Sequence, residues 1–362
     1  MFGDNATLTN ALSVSIDWIA FTTVSVKDVS EVFSFLGYQS TDFLQLPKGA
    51  NGYMTVYRLK GYPVSVMADG TECMGIHVVI TGSAIRDVME HYQETLMTET
   101  PFGGEAVELS DFGNTIMTEF LRDVQRIGWF TRLDLAIDDR GCRYFTLDDV
   151  RRFLDRQEVV SKFRTFRDVC ESTLSLEPVG RTIYLGSRQS EVMLRVYDKM
   201  LERNRKIEDE KERLLEPWVR WELELKNQRA NIAADMLVKS KSLGEVVTGI
   251  LNNYVRIIIP DDSNRSRCSL HPLWAEFVET IKKLRLYVEK AGKTIKEKRS
   301  WLVRSVLPTL AGVIIADGGC FDIITDHFDD AVARMSGHMQ TLVTQACPGW
   351  RSDWNSGPAW CT

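Results

Sequence analysis

The stretch from Arg181 to Lys199, RTIYLGSRQSEVMLRVYDK, constrains the fold most. Two runs of alternating residue type flank the polar turn Ser187 to Ser190, with Gly186 before it, which is the pattern of a β-hairpin. In the second run Met193, Arg195, Tyr197 and Lys199 share one face, and Val192, Leu194, Val196 and Asp198 share the other. A phenol flanked by two cations at spacing two is unusual on a core face. A packing tyrosine at a strand end gives the same pattern, so this stretch leaves two readings open: nucleophile or packing residue.

Two further stretches alternate in the same way. In Trp129 to Asp139, WFTRLDLAIDD, one face carries Arg132, Asp134, Ala136 and Asp138, and the other carries Leu133, Leu135 and Ile137. In Trp218 to Lys226, WVRWELELK, Arg220, Glu222, Glu224 and Lys226 oppose Trp221, Leu223 and Leu225. Either strand alone is also what a solvated sheet face looks like. Together they gather like charges that repel unless a cation sits between them. Asp134, Asp138, Glu222 and Glu224 are therefore candidate metal ligands, and their hard oxygens suit Mg²⁺ or Mn²⁺. An ion held there can polarise a phosphodiester. Tyr197 can then attack phosphorus, with Arg195, Lys199 and Arg188 favouring the phenolate or holding the phosphate.

The rest of the chain frames these strands. Strands are predicted at Val14 to Thr22, where Asp17 breaks the apolar run, and at Gly52 to Leu59, Val64 to Ala68 and Gly75 to Thr81. Helices are predicted at Val26 to Leu36 with Ser25 as N-cap, Ala84 to Thr98, Thr115 to Gly128, Thr146 to Gln157 and Met200 to Leu215. The pattern implies an α+β fold, a largely antiparallel sheet with helices on one face, followed by a mostly helical C-terminal region. There, helices are predicted at Ile232 to Asn253, Leu273 to Ala291, Ile295 to Ala316 with a break at Pro308, and Ile323 to Thr344. The expected organisation is a flexible N-terminus (1–12), a catalytic domain (13–230), a partly basic helical region (231–345) and a tail (346–362).

With 362 residues, 44% of them hydrophobic and 26% charged, the chain falls in the ordinary globular class. No apolar run of membrane-spanning length or secretory leader is evident, so a cytoplasmic location without membrane contact is expected. Seven cysteines without a CxxC pair argue against a disulfide scaffold or zinc site. A net charge of −6 disfavours non-specific nucleic-acid binding, but the charge is unevenly distributed. Lys282, Lys283, Arg285, Lys293, Lys296, Lys298 and Arg299 cluster between Ile281 and Arg304 with Tyr287 and Trp301 among them, as a nucleic-acid surface would, although a solvated helix face has the same composition.

The blocks RLDLAIDD, TIYLGSRQSEVMLRVYDK and RWELELK, in this order, resemble the replication initiation factor family, the Rep_trans type initiators of rolling-circle plasmids, with related proteins in filamentous phages and relaxases in conjugative transposons. VSIDWIAFT and GIHVVITGSAIR resemble its opening strands. The resemblance implies a strand-specific endonuclease and ligase that nicks a double-strand origin through a covalent 5′-phosphotyrosine, leaves a 3′-hydroxyl primer and rejoins the strand at termination. It places the catalytic tyrosine at Tyr197 and the metal-binding acids at Asp134, Glu222 and Glu224, with Asp138 beside them. Origin DNA in duplex and hairpin form, a host helicase and DNA polymerase are the implied partners, with a homodimer possible. A separate helicase is expected because Gly292, Lys293 and Thr294 match only the end of a phosphate-binding loop. The competing expectations are a relaxase for conjugative mobilisation and a non-catalytic origin- or operator-binding regulator.

Overall fold

The computed structural model describes residues 12–71, 73–99, 112–205, 207, 209, 212–239, 242–284, 299, 302–335, 340, 343, 344 and 347. Leu12–Thr23 (β1) and Gly128–Arg140 (β6) are two long neighbouring strands, and Trp218–Lys226 (β11) lies on the other side of β6. Val192–Asp198 (β10), Pro178–Leu185 (β9) and Phe166–Ser172 (β8) extend the sheet from β11. On the far side of β1 come Ile76–Thr81 (β5), Val64–Ala68 (β4), Thr55–Leu59 (β3) and Phe43–Gln45 (β2). The result is one ten-stranded sheet, ordered β2-β3-β4-β5-β1-β6-β11-β10-β9-β8, with every pair antiparallel. Val159–Ser161 (β7) and Val255–Ile257 (β12) form a separate two-stranded sheet.

Alternation decides which face of the sheet is covered. Phe21 of β1, Leu133 and Leu135 of β6, Trp221 and Leu223 of β11, and Leu194 and Val196 of β10 are buried on one side. Val29–Phe35 (α1), Ala84–Glu99 (α2), Phe112–Ile127 (α3) and Leu147–Asp155 (α4) bring Val32, Val88, Phe120 and Val150 into the same core. Each such side chain fully removed from water contributes about 1.5–3 kcal/mol. This is the α+β layer arrangement predicted from the sequence, with the helices on one face and the charged alternation on the other.

Local signals set the helix ends. The N-cap of α1 is Asp28 rather than Ser25, because the Asp28 carboxylate accepts from Ser30 N at 2.8 Å. Thr146 and Asp149 form a reciprocal capping box at the start of α4. Among the described residues of the charged segment predicted as one helix from Met200 to Leu215, the α-helix ends at Asn204 (Lys199–Asn204, α5). There the Asn204 side chain bonds both the N–H and the carbonyl of Leu214 and closes a loop instead. Ile232 to Asn253 is two helices, Asn227–Lys239 (α6) and Leu243–Tyr254 (α7), because Ser242 caps the second through Glu245 N.

The chain divides into two compact units, residues 1–288 and 289–362. The expected boundary near residue 230 falls inside the first unit. Ala230, Ala233 and Ala234 of α6, and Trp274, Phe277 and Ile281 of Pro272–Lys282 (α8), are buried in the core shared with the sheet. The second unit contains Leu307–Ala316 (α9) and Asp322–Ala333 (α10). Pro308 sits in the first turn of α9, where its missing N–H leaves no bond unmade. No helix among the described residues is long and apolar enough to cross a membrane.

Candidate active site

The three sequence-predicted strands are adjacent, in the order β6-β11-β10. The register sets Asp134 opposite Glu224, Ala136 opposite Glu222 and Asp138 opposite Arg220, then Glu222 opposite Arg195 and Arg220 opposite Tyr197. All of these side chains leave the sheet on the face away from the helices. Asp134, Glu222, Glu224 and Asp138 are nevertheless buried, because they shield one another along with their partners.

Tyr197 occupies the last turn of strand before α5, whose N-cap is the next residue: the Asp198 carboxylate accepts from Leu201 N at 2.8 Å. This cap pins the backbone where the phenol emerges. The phenol hydroxyl donates to Glu222 Oε2 at 2.9 Å, while Arg195 Nη2 engages the other oxygen of the same carboxylate. Lys199 Nζ reaches the Tyr197 oxygen at 3.5 Å and pairs with Glu202 at 2.7 Å. Burial, and then the Glu222 charge, hold the Tyr197 phenol well above its ordinary range, with Arg220 pulling the other way. The Lys199 ammonium is lowered by burial and by Arg220. An attacking phenol here requires a proton acceptor, and Glu222 stands in hydrogen-bond contact with it.

One register step along, the acids form a different set. Arg132 binds Asp134 Oδ2 at 2.6 Å and Glu224 Oε2 at 2.8 Å, and Lys226 takes the second Glu224 oxygen at 2.7 Å. Burial, with the neighbouring Glu222 and Glu224 charges, pushes the Asp134 carboxyl up to about 8 against the opposing pull of Arg132. Asp138 stands apart from them. Its oxygens are taken by Trp218 Nε1 at 2.7 Å and by Arg220 at 2.7 and 2.8 Å. Four residues of strand, about 13 Å, separate it from Asp134, and in the row across the sheet Arg220 stands between Asp138 and Tyr197. As donors, Asp134, Glu222 and Glu224 fit a hard divalent cation: all are oxygens, and burial, with the Glu222 and Glu224 charges adding to it, raises Asp134. With arginines on those oxygens, the described residues hold no group of three acids arranged as metal ligands.

Residues 128–332 match the family described as replication initiation factor. A putative DNA relaxase, NicK, of Bacillus subtilis (strain 168) is 30% identical over 320 residues, covering 86% of this chain and 84% of that protein. The chain belongs to the replication initiation factor family. The solved structure of a rolling circle replication initiator protein from Geobacillus stearothermophilus matches with a TM-score of 0.62 and 27% identity, over 76% of this chain and 98% of that one.

In this family member four of the basic residues predicted to touch DNA are among the described residues: Arg188, Lys282, Lys283 and Arg299. Arg188 lies in the β9–β10 turn, where its carbonyl accepts from Lys226 Nζ at 2.6 Å. Lys282 and Lys283 are exposed at the end of α8, a helix on the covered face of the sheet, and Arg299 is exposed in the second unit. Arg285, Lys293, Lys296 and Lys298 lie outside the described residues. Sequence reasoning missed Arg220 as the centre of a second cluster, in which Arg220 Nη1 also binds Asp17 at 2.6 Å, 203 positions away. Against burial, Asp138 and Asp17 hold this guanidinium well above its ordinary value. The one signal in the sequence was Asp17 itself, an acid in an apolar strand; it sits at the register shift between Ile16 and Trp18.

Proposed function

We propose that the chain is a rolling-circle replication initiator that nicks one strand of origin DNA through Tyr197 and later rejoins it. The observation that carries this reading is the hydrogen bond from Tyr197 to Glu222, made on a sheet face that gathers acids and guanidinium groups. The phenol oxygen attacks phosphorus and its proton passes to Glu222. A bond forms between the tyrosine oxygen and the 5′-phosphate, and the bond from phosphorus to the 3′-oxygen breaks. That oxygen takes up a proton and leaves as a 3′-hydroxyl able to prime synthesis. Rejoining reverses each of these exchanges. Arg195 on β10 and Lys199 at the start of α5, two residues to either side of Tyr197, are placed to hold the phosphate oxygens.

Asp134 and Glu224, with Glu222 next to them, are the residues that would hold Mg²⁺ or Mn²⁺. An ion held by them would supply polarisation of the phosphodiester and would offset charge on the leaving oxygen. For those acids to serve, Arg132 has to release the two it bridges, and its side chain, still partly open to solvent, has room to do so.

The test uses a supercoiled plasmid carrying the DNA that flanks this gene, with Mg²⁺ or Mn²⁺. The wild-type chain should relax it and form a covalent adduct that survives detergent. Tyr197→Phe should lose both by more than about 10³-fold while binding the same DNA unchanged. An adduct formed by Tyr197→Phe, or none formed by the wild type, sinks the proposal. A relaxase for conjugative mobilisation is the second reading, favoured by the 30% identity to a putative DNA relaxase over most of both chains. The nicking chemistry is shared, so the two are separated by whether single-stranded transfer or autonomous replication fails when Tyr197 is replaced in the cell.

A further inference from the structure

Most arginines around the site are spoken for. Arg132, Arg195, Arg220 and Arg181 each pair with one or more carboxylates. Two are not: among the described residues no carboxylate pairs with Arg167 or Arg188. Both instead stand over one ring. The Arg167 guanidinium lies 5.3 Å and the Arg188 guanidinium 5.8 Å from the ring centroid of Tyr184.

The register fixes where this trio sits. Tyr184 of β9 is opposite Arg195 on one side and Arg167 on the other, so Arg195, Tyr184 and Arg167 form one row across the sheet. Tyr197 is two residues beyond Arg195 on the same face, which makes it the diagonal neighbour of Tyr184, with Cα atoms about 7–8 Å apart. Arg188 comes from the turn between β9 and β10, and that turn is held in place. Gly186, at φ +94°, packs so closely on Phe163 that a Cβ would lie 2.7 Å from its ring. Ser190 N bonds the Ser187 carbonyl at 3.0 Å, and Lys226 grips the Arg188 carbonyl.

A half-buried aromatic ring with two exposed, unneutralised guanidinium groups beside it matches one ligand chemistry: a planar base carrying a phosphate. Aromatic rings receive bases by stacking irrespective of sequence, and arginines supply the phosphate contacts. We propose that Tyr184, with Arg167 and Arg188, seats one unpaired base of the DNA strand next to the scissile phosphate. The proposal rests on the nicking function above and gives it a means of holding a melted strand in register with Tyr197.

The test measures binding without cleavage, using the full-length Tyr197→Phe chain and two fluorescent probes, a ten-residue oligothymidylate and the same backbone without bases. The parent should prefer the oligothymidylate. Adding Tyr184→Ala should reduce that preference by about tenfold, whereas Tyr184→Phe should keep it. Arg167→Ala and Arg188→Ala should weaken both probes alike and each flatten the salt dependence by close to one phosphate contact. If Tyr184→Ala, with an unchanged melting temperature, discriminates between the probes as well as its parent does, the seat does not exist. Failure of the nicking function would show separately, as no covalent adduct from the wild-type chain, whatever the probes report.

Discussion

At the scale of single residues, Glu222 and Asp134 separate two jobs that their strand alternation makes look alike. Glu222 has one oxygen on the Tyr197 phenol and the other on Arg195, which suits a proton acceptor. Glu222→Gln keeps the shape but cannot take the proton, so single-turnover nicking should fall by about 10²–10⁴ with DNA binding intact. Removing the Glu222 charge also removes one of the causes that raise the phenol. The residual rate of Glu222→Gln should therefore climb with pH as hydroxide replaces the lost base; a flat, uniformly lowered profile would leave Glu222 a merely structural role. Asp134 makes a different prediction. Its carboxyl is raised from 3.8 to about 8, so between those values the folded chain holds a proton that the unfolded chain has lost. Stability from this group is complete below pH 3.8 and is lost as pH rises toward about 8. Without metal, the wild type should lose stability across that window relative to Asp134→Asn by at least about 1 kcal/mol, the worth of less than one pKa unit, in urea melts taken at both ends.

At the scale of elements, the Arg220 cluster is a clamp on three strands. Arg220 of β11 binds Asp138 of β6 and Asp17 of β1, so the register shift in β1 is where an acid is turned toward its partner. Removing the cation alone leaves two acids facing each other, and breaking a buried pair of this kind costs about 3–5 kcal/mol. Arg220→Leu should lower the urea midpoint accordingly, and adding Asp138→Leu should recover part of the loss; a double variant as unstable as the sum of two singles would show the pair to be uncoupled. Much of this architecture was legible in the sequence because alternation reports faces. Leu133, Leu135 and Ile137 against Asp134 and Asp138, and Trp221 and Leu223 against Glu222 and Glu224, set strand and face by residue type alone. Alternation says nothing of which strand lies beside which. That Glu222 meets Tyr197 while Asp138 is drawn off by Arg220 depends on the β6-β11-β10 order and on a register shift around Asp17. The end of α5 was equally hidden, since charge pairs at helical spacing gave no warning that Asn204 would close a loop on Leu214.

At the scale of the whole molecule, the chemistry and the bulk of the basic run fall in different compact units. Tyr197, Glu222, Asp134, Glu224 and the Tyr184 seat all belong to residues 1–288, whereas Lys290, Lys293, Lys296, Lys298, Arg299 and Arg304 follow in 289–362. Sequence composition makes those six cations either a nucleic-acid surface or a solvated helix face, and Lys282 and Lys283, which precede them, end a helix on the covered side of the sheet. The two regions should therefore be separable. A chain ending at Val288 should fold, with α8 still seated through Trp274, Phe277 and Ile281, and should still cleave a single-stranded oligonucleotide containing the nick site. Its affinity for duplex origin DNA should drop. If all six lost cations contact phosphates, the slope of log affinity against log salt should become shallower by up to about 5, at about 0.9 per contact on duplex DNA. Titrations of the full and shortened chains at several salt concentrations measure both quantities. An unchanged slope would return the basic run to a solvated helix face, and loss of oligonucleotide cleavage by a folded shortened chain would mean that the second unit completes the site.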